Sequence, residues 1–153
     1  MPQPTICITL GDPAGIGPEV AVKALADPSL RRAARWVVVG EAWQMDAMGL
    51  AADETHVRVH AGQAIAPADV APGRVSALCG QAALEYIRQA TRMCLAGEAH
   101  AMVTAPICKA AVAQKIPGFV GHTEYLAELC GAVESRILLV NDQLWVANVA
   151  AHC

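Results

Sequence analysis

Aromatic side chains are scarce here, only 4% of the 153 residues. A core of such a chain must be assembled from small side chains, alanine above all, with closely packed helices. Positive charge is also in short supply. Eleven Lys and Arg face fourteen Asp and Glu, for a formal net charge of -3. No basic stripe appears, and the one adjacent pair, Arg31 and Arg32, reads as a solvated helix end. A nucleic-acid partner is therefore excluded, whereas a small-anion pocket, which needs only a few cations, is not. No apolar run approaches the roughly 18 residues of a membrane helix. Met1-Pro2-Gln3-Pro4 carries no positive region, and the apolar stretch after it breaks at Gly11-Asp12-Pro13, so no secretion signal is expected. The expectation is a cytoplasmic protein without a membrane or nucleic-acid partner.

The six cysteines, Cys7, Cys79, Cys94, Cys108, Cys130 and Cys153, contain no C-x-x-C pair and no zinc-ribbon spacing. They read mostly as small buried hydrophobes in a reducing compartment. What the chain has in abundance is apolar residues, 55% of the total, with a mean hydropathy of +0.37. That balance is high for a small monomer. It implies surface buried against a partner, or a missing part of the molecule.

Strand and helix patterns alternate along the chain. Thr5 to Leu10 reads as a buried strand, followed by the tight loop Gly11 to Pro18 and a helix over Glu19 to Ala26. Trp36 to Val39 is a second strand, Ala42 to Met48 a short helix, and His56 to His60 a third strand. Ile65 to Gly73, marked by Pro67 and Pro72, is loop. The strongest helical periodicity runs from about Gln81 to Ala96, with Gly97 as its C-cap. Ala101 to Thr104 is a strand and Ile107 to Gln114 a helix. Ile116 to Gly121 is a loop, and Thr123 to Leu129 a helix ending at Gly131. Ile137 to Val140 and Leu144 to Val149 flank the turn Asn141-Asp142, too close for a helical crossover, and form an antiparallel hairpin. The pattern predicts an α/β protein of α/β/α layers, with a mainly parallel, mixed sheet covered on both faces.

Several segments are candidates for chemistry. The loop Gly11 to Pro18 joins a strand to a helix and reads either as a tight structural turn or as a backbone approach to an anion. It is neither a G-x-G-x-x-G loop nor a P-loop, and Asp12 reads as a helix cap as readily as a ligand contact. Val103 to Lys109 is a second strand-to-helix turn. Its lysine is either an exposed helix residue or, with Thr104, the border of an anionic ligand. In Gly121-His122-Thr123-Glu124, a histidine and a threonine stand at a helix start, where two side-chain hydrogen bonds can join free first-turn amides around a phosphate or hydroxy acid. The alternative is that Thr123 caps the helix and His122 is a surface side chain. His152 stands at a strand end, where it is a metal ligand, a base or a frayed terminus; one histidine does not make a metal site. His56, His60 and His100 show no convergent pattern.

Together these motifs resemble a known family. Ile8-Thr9-Leu10-Gly11-Asp12-Pro13-Ala14-Gly15-Ile16-Gly17-Pro18-Glu19 is similar to the N-terminal signature of 4-hydroxythreonine-4-phosphate dehydrogenases. Ala101 to Pro106 followed by Lys109 resembles their central strand and turn. Gly118 to Gly131 resembles their substrate-contacting segment, and Leu144 to His152 the strand that delivers a metal-binding histidine.

The resemblance implies an isocitrate/isopropylmalate dehydrogenase-like fold, incomplete here. Residues 1–121 would form most of a first α/β domain and residues 122–153 the truncated start of a second. It implies that His122 and Thr123 bind substrate and that His152 is one ligand of a divalent metal (zinc, magnesium or cobalt). It further implies NAD or NADP as cofactor and a homodimer at full length. The substrate would be 4-phosphohydroxy-L-threonine or a related four-carbon phosphorylated hydroxy acid, oxidised and then decarboxylated. Relatives of this family act on a cyclic cis-diol dicarboxylate, which is one alternative. A non-catalytic small-anion-binding or interaction module derived from the fold is another. Family members are about twice as long, so this chain reads as a fragment, inactive alone.

Overall fold

The computed structural model describes residues 3–50, 57–61 and 64–148. The chain divides into two compact units, Met1–Phe119 and Val120–Cys153. In the first unit, four strands form one parallel sheet: β1 (Thr5–Thr9), β2 (Arg35–Gly40), β3 (Val57–Ala61) and β4 (Ala101–Thr104), in the order β3-β2-β1-β4. β1 lies in register with both neighbours, Cys7 opposite Val37 on one side and Met102 on the other.

Alternation along the strands feeds two cores. Cys7, Val37 and Val39 pack with Cys79, Ala82, Tyr86, Ala90 and Met93 of the helix α4 (Ala77–Leu95). Ile8, Leu10 and Val38 turn to the other face, with Ala21 and Leu25 of α1 (Gly17–Ala26) and Met45 of α3 (Ala42–Ala47). Both faces are therefore covered, which is why Val37-Val38-Val39 is continuously apolar rather than alternating. The α/β expectation holds, with the strands where the apolar runs place them.

Helix boundaries differ in instructive ways. α4 begins at Ala77, four residues ahead of the expected Gln81, because Gly80 lies inside the helix rather than before it. Its lack of a side chain is needed there: a Cβ at Gly80 would stand 2.7 Å from the backbone of Ala111 and Val112. Those residues belong to α5 (Lys109–Ala113), shorter than the expected span, which crosses α4 at that point. A helix α2 (Pro28–Ala33) completes the segment in which only a helix end at Arg31 and Arg32 was expected. Asp27 caps it, its Oδ1 accepting from the amides of Ser29 at 2.7 Å and Leu30 at 3.3 Å.

The second unit holds α6 (His122–Leu129) and two strands, β5 (Leu138–Val140) and β6 (Trp145–Ala147). The strands pair antiparallel as expected, Leu139 opposite Val146. Asn141 closes the turn, its Oδ1 accepting from the amides of Gln143 (2.9 Å) and Leu144 (2.7 Å). The hairpin forms a two-stranded sheet of its own instead of extending the parallel one into a mixed sheet. Its turn is built from local bonds, so the pair needs no third strand to set its register. No helix among the described residues is long and apolar enough to cross a membrane.

Candidate functional site

From β1 the chain proceeds to β2 on one side, while β4 pairs on the other, so the order of the parallel sheet reverses between β1 and β4. In open α/β sheets, the crevice outside the carboxyl ends of such a strand pair is where ligands gather. Two segments stand there, the loop after β1 and the turn after β4. Backbone holds them against each other. The amide of Asp12 donates to the Pro106 carbonyl at 3.0 Å, and that of Ala105 to Thr9 at 3.2 Å. Gly11 has φ +69°, and a Cβ there would overlap the Pro106 carbonyl oxygen. A Cβ on Gly17 would overlap the Leu10 carbonyl and stand 3.2 Å from that of Pro106.

The glycines thus serve close backbone contact, which supports the reading of this segment as a tight structural turn. The start of α1 is moreover a poor anion site. Pro18 has no amide to offer, and Glu19 places negative charge in the first turn.

Asp12 does not cap α1, contrary to one sequence expectation. Ile16 is the N-cap, with no side-chain bond. Instead the Asp12 Oδ1 accepts from the Ala14 amide two residues on, at 2.8 Å, and the side chain is almost wholly buried. Burial raises its pKa, with the Ala14 bond acting in the opposite direction. A carboxyl whose folded pKa exceeds its unfolded one binds more protons when folded, so its contribution to stability is present at low pH and lost as pH rises through the folded value. Asp12→Asn keeps the acceptor and removes the charge. It is expected to melt at or above the wild-type temperature at pH 7, with a flatter profile just above pH 3.8. Thermal melts across pH check this; a variant less stable than wild type at pH 7 would show that the charge is needed.

A buried acid that sequence reasoning missed stands at the end of β2. Glu41 Oε1 accepts from the Ala64 amide at 2.8 Å, the Ile65 amide at 3.4 Å and the Tyr86 hydroxyl at 3.0 Å. Burial first, and the Glu41 charge second, push the ionisation of Tyr86 far above its ordinary range, so its hydroxyl stays a donor. Close by in sequence, Gln44 Nε2 donates to the Pro13 carbonyl at 2.9 Å. These groups fix the frame behind the crevice.

The predicted site residues fall as follows. His122 and Thr123 are the first two residues of α6 and are half-buried. Gly121 is the N-cap and no side chain caps the helix, so Thr123 is not a cap. Glu124, in the first turn, is exposed. Thr104 is the last residue of β4, half-buried, and Lys109 the exposed first residue of α5. His152 lies outside the described residues, as do Cys153 and His56. His60 lies on β3, and His100 Nδ1 accepts from the Thr5 amide at 3.1 Å, at the start of the β1–β4 pairing. Of the cysteines, Cys7 and Cys79 are buried, Cys94 and Cys108 half-buried, and Cys130 exposed. Among the described residues no three His, Cys, Asp or Glu side chains converge to hold a metal.

The family model described as "Pyridoxal phosphate biosynthetic protein PdxA" matches residues 19–153. The 4-hydroxythreonine-4-phosphate dehydrogenase of Trichlorobacter lovleyi is 38% identical over 169 aligned positions, covering 99% of this chain and 50% of the relative. The D-threonate 4-phosphate dehydrogenase of Salmonella typhimurium is 33% identical, covering 99% and 52%. Among solved structures, a 4-hydroxythreonine-4-phosphate dehydrogenase from Burkholderia phymatum superposes with a TM-score of 0.89 at 33% identity, over all of this chain and 51% of that one. The chain spans about half the length of the curated relatives it matches.

Proposed function

The chain belongs to the PdxA family, and from that premise we propose that it carries the N-terminal half of a nicotinamide-dependent dehydrogenase of a small phosphorylated hydroxy acid. The observation that carries this is His122 and Thr123 side by side at the start of α6, half-buried and with no side chain capping the helix. An imidazole and a hydroxyl there can each donate to the same ligand oxygens. In this reading they bind and orient substrate, either 4-phosphohydroxy-L-threonine or its D-threonate counterpart. Bound NAD or NADP would supply the hydride acceptor. His152, outside the described residues, is proposed as one ligand of a divalent metal, whose remaining ligands the described residues do not supply. A homodimer in the cytoplasm, and a domain boundary between residues 121 and 122, belong to the same proposal.

The test is reduction of NAD or NADP with 4-phosphohydroxy-L-threonine, D-threonate 4-phosphate and a divalent metal. The 153-residue chain alone is expected to show no turnover. Co-expressed with the C-terminal half of a relative such as that of Trichlorobacter lovleyi, it is expected to gain measurable turnover. A complemented complex that binds the phosphorylated acid yet reduces no nicotinamide would point instead to a non-catalytic anion-binding module.

A further inference from the structure

Between α4 and α5 the first unit holds a cavity of about 480 Å³, lined by no strand residue. That volume lies within the range of small-molecule sites, roughly 300–1,000 Å³. The two helices meet at Gly80, and the cavity lies beside that contact, with Gln81 and Ala82 on one side and Val112 on the other. Its apolar wall is Ala82, Leu84 and Val112, all buried, with Ile116 exposed at the rim. Leu84 and Val112 belong to neither of the cores that flank the sheet, so they pack between the two helices and around the cavity.

The polar wall follows from the spacing of α4. Gln81, Glu85 and Arg88 stand at i, i+4 and i+7 and share one helix face. Lys115, two residues beyond the end of α5, lines the same cavity. These charges do not cancel. Glu85 is engaged by the Arg88 guanidinium and by Gln89 Nε2 at 3.3 Å. Lys115 has no ion-pair partner among the described residues. The lining therefore carries one net positive charge beside aliphatic walls.

We propose that this cavity binds a small carboxylic acid with an aliphatic body, its carboxylate on Lys115 and its chain against Leu84, Val112 and Ile116. One net charge matches a monoanion, whereas a phosphate dianion would be left half neutralised. The walls hold no aromatic ring on which a nucleotide base could stack. The Gln81 amide can donate to or accept from one further hydroxyl or keto group of the ligand. The proposal stands apart from the dehydrogenase reading, whose contacts His122 and Thr123 do not line this cavity.

The experiment is an amide chemical-shift titration of the whole 153-residue chain with hexanoate. Acetate, hexanol and inorganic phosphate serve as partial probes. Hexanoate is expected to give saturable shifts at residues 81–88 and 112–116, and to bind roughly tenfold tighter than any partial probe. Lys115→Met is expected to weaken hexanoate roughly three- to tenfold, discounted for the exposure of the lysine, and to leave hexanol unchanged. Glu85→Gln removes the one negative charge of the lining and is expected to tighten hexanoate roughly two- to fivefold. Ala64, exposed at the mouth, keeps its backbone bond to Glu41 when substituted. Ala64→Trp should therefore melt like wild type and lose the shifts with every probe. Hexanoate binding no tighter than hexanol, or indifferent to Lys115→Met, overturns the carboxylate assignment. No saturable shift along the lining overturns the cavity as a ligand site.

Discussion

Gly11→Val is expected to cost the first unit about 3–7 kcal/mol or to prevent its folding. Three effects add. A β-branched residue held at φ +69° costs on the order of 1–3 kcal/mol. The new side chain must then displace the Pro106 carbonyl, which a Cβ at this position would overlap, and such overpacking adds roughly 1–3 kcal/mol. Moving that carbonyl breaks the 3.0 Å bond from the Asp12 amide, worth about 1 kcal/mol. Gly97 provides the contrast. Its φ is +75°, yet nothing lies within 4 Å of where its Cβ would be. Gly97→Val therefore meets only the conformational penalty, about 1–3 kcal/mol. Urea unfolding followed through Trp36 and Trp43 compares the two. Equal midpoints would mean that backbone conformation alone sets the need for glycine, and that the contact between the two loops is dispensable.

That comparison also marks the limit of what was legible in the residues themselves. Short-range signals read out well. The runs of β1 and β2, the periodicity of α4 beyond Gln81, the start of α6 and the turn at Asn141 are all local patterns with local causes. What stayed hidden depends on partners far along the chain. Gly11 and Gly17 were open to two readings, a tight turn or an approach to an anion, because nothing near them in sequence announces Pro106. Gly80 looked like the residue before a helix because the crossing α5 lies some thirty positions on. Glu41 is one acid after a strand, and its role exists only once Ala64, Ile65 and Tyr86 arrive around it. The site divides in the same way. His122, Thr123 and Lys109 were visible as residue types at helix starts, whereas the cavity between α4 and α5 appears only once Lys115 is brought beside Glu85 and Arg88.

The roles of His122 and His152 separate most sharply in the complemented enzyme. His122→Ala is expected to lower kcat/KM roughly ten- to a hundredfold, the effect of losing hydrogen bonds worth ~1.5–3 kcal/mol to a charged ligand. Metal affinity should stay nearly unchanged. His122 and Thr123 are the first two residues of α6, and no three metal-ligating side chains converge there among the described residues. His152, which the family resemblance assigns to the metal, should behave in the opposite way. Removing one of the three or four protein ligands that hold a metal typically ends tight binding, so His152→Ala is expected to abolish both metal binding and turnover. Calorimetric metal titration of the two variants, beside steady-state rates, measures each effect independently. An enzyme that loses its metal with His122→Ala and keeps it with His152→Ala would reverse the assignment, placing the start of α6 in the metal site and leaving the substrate to be held elsewhere.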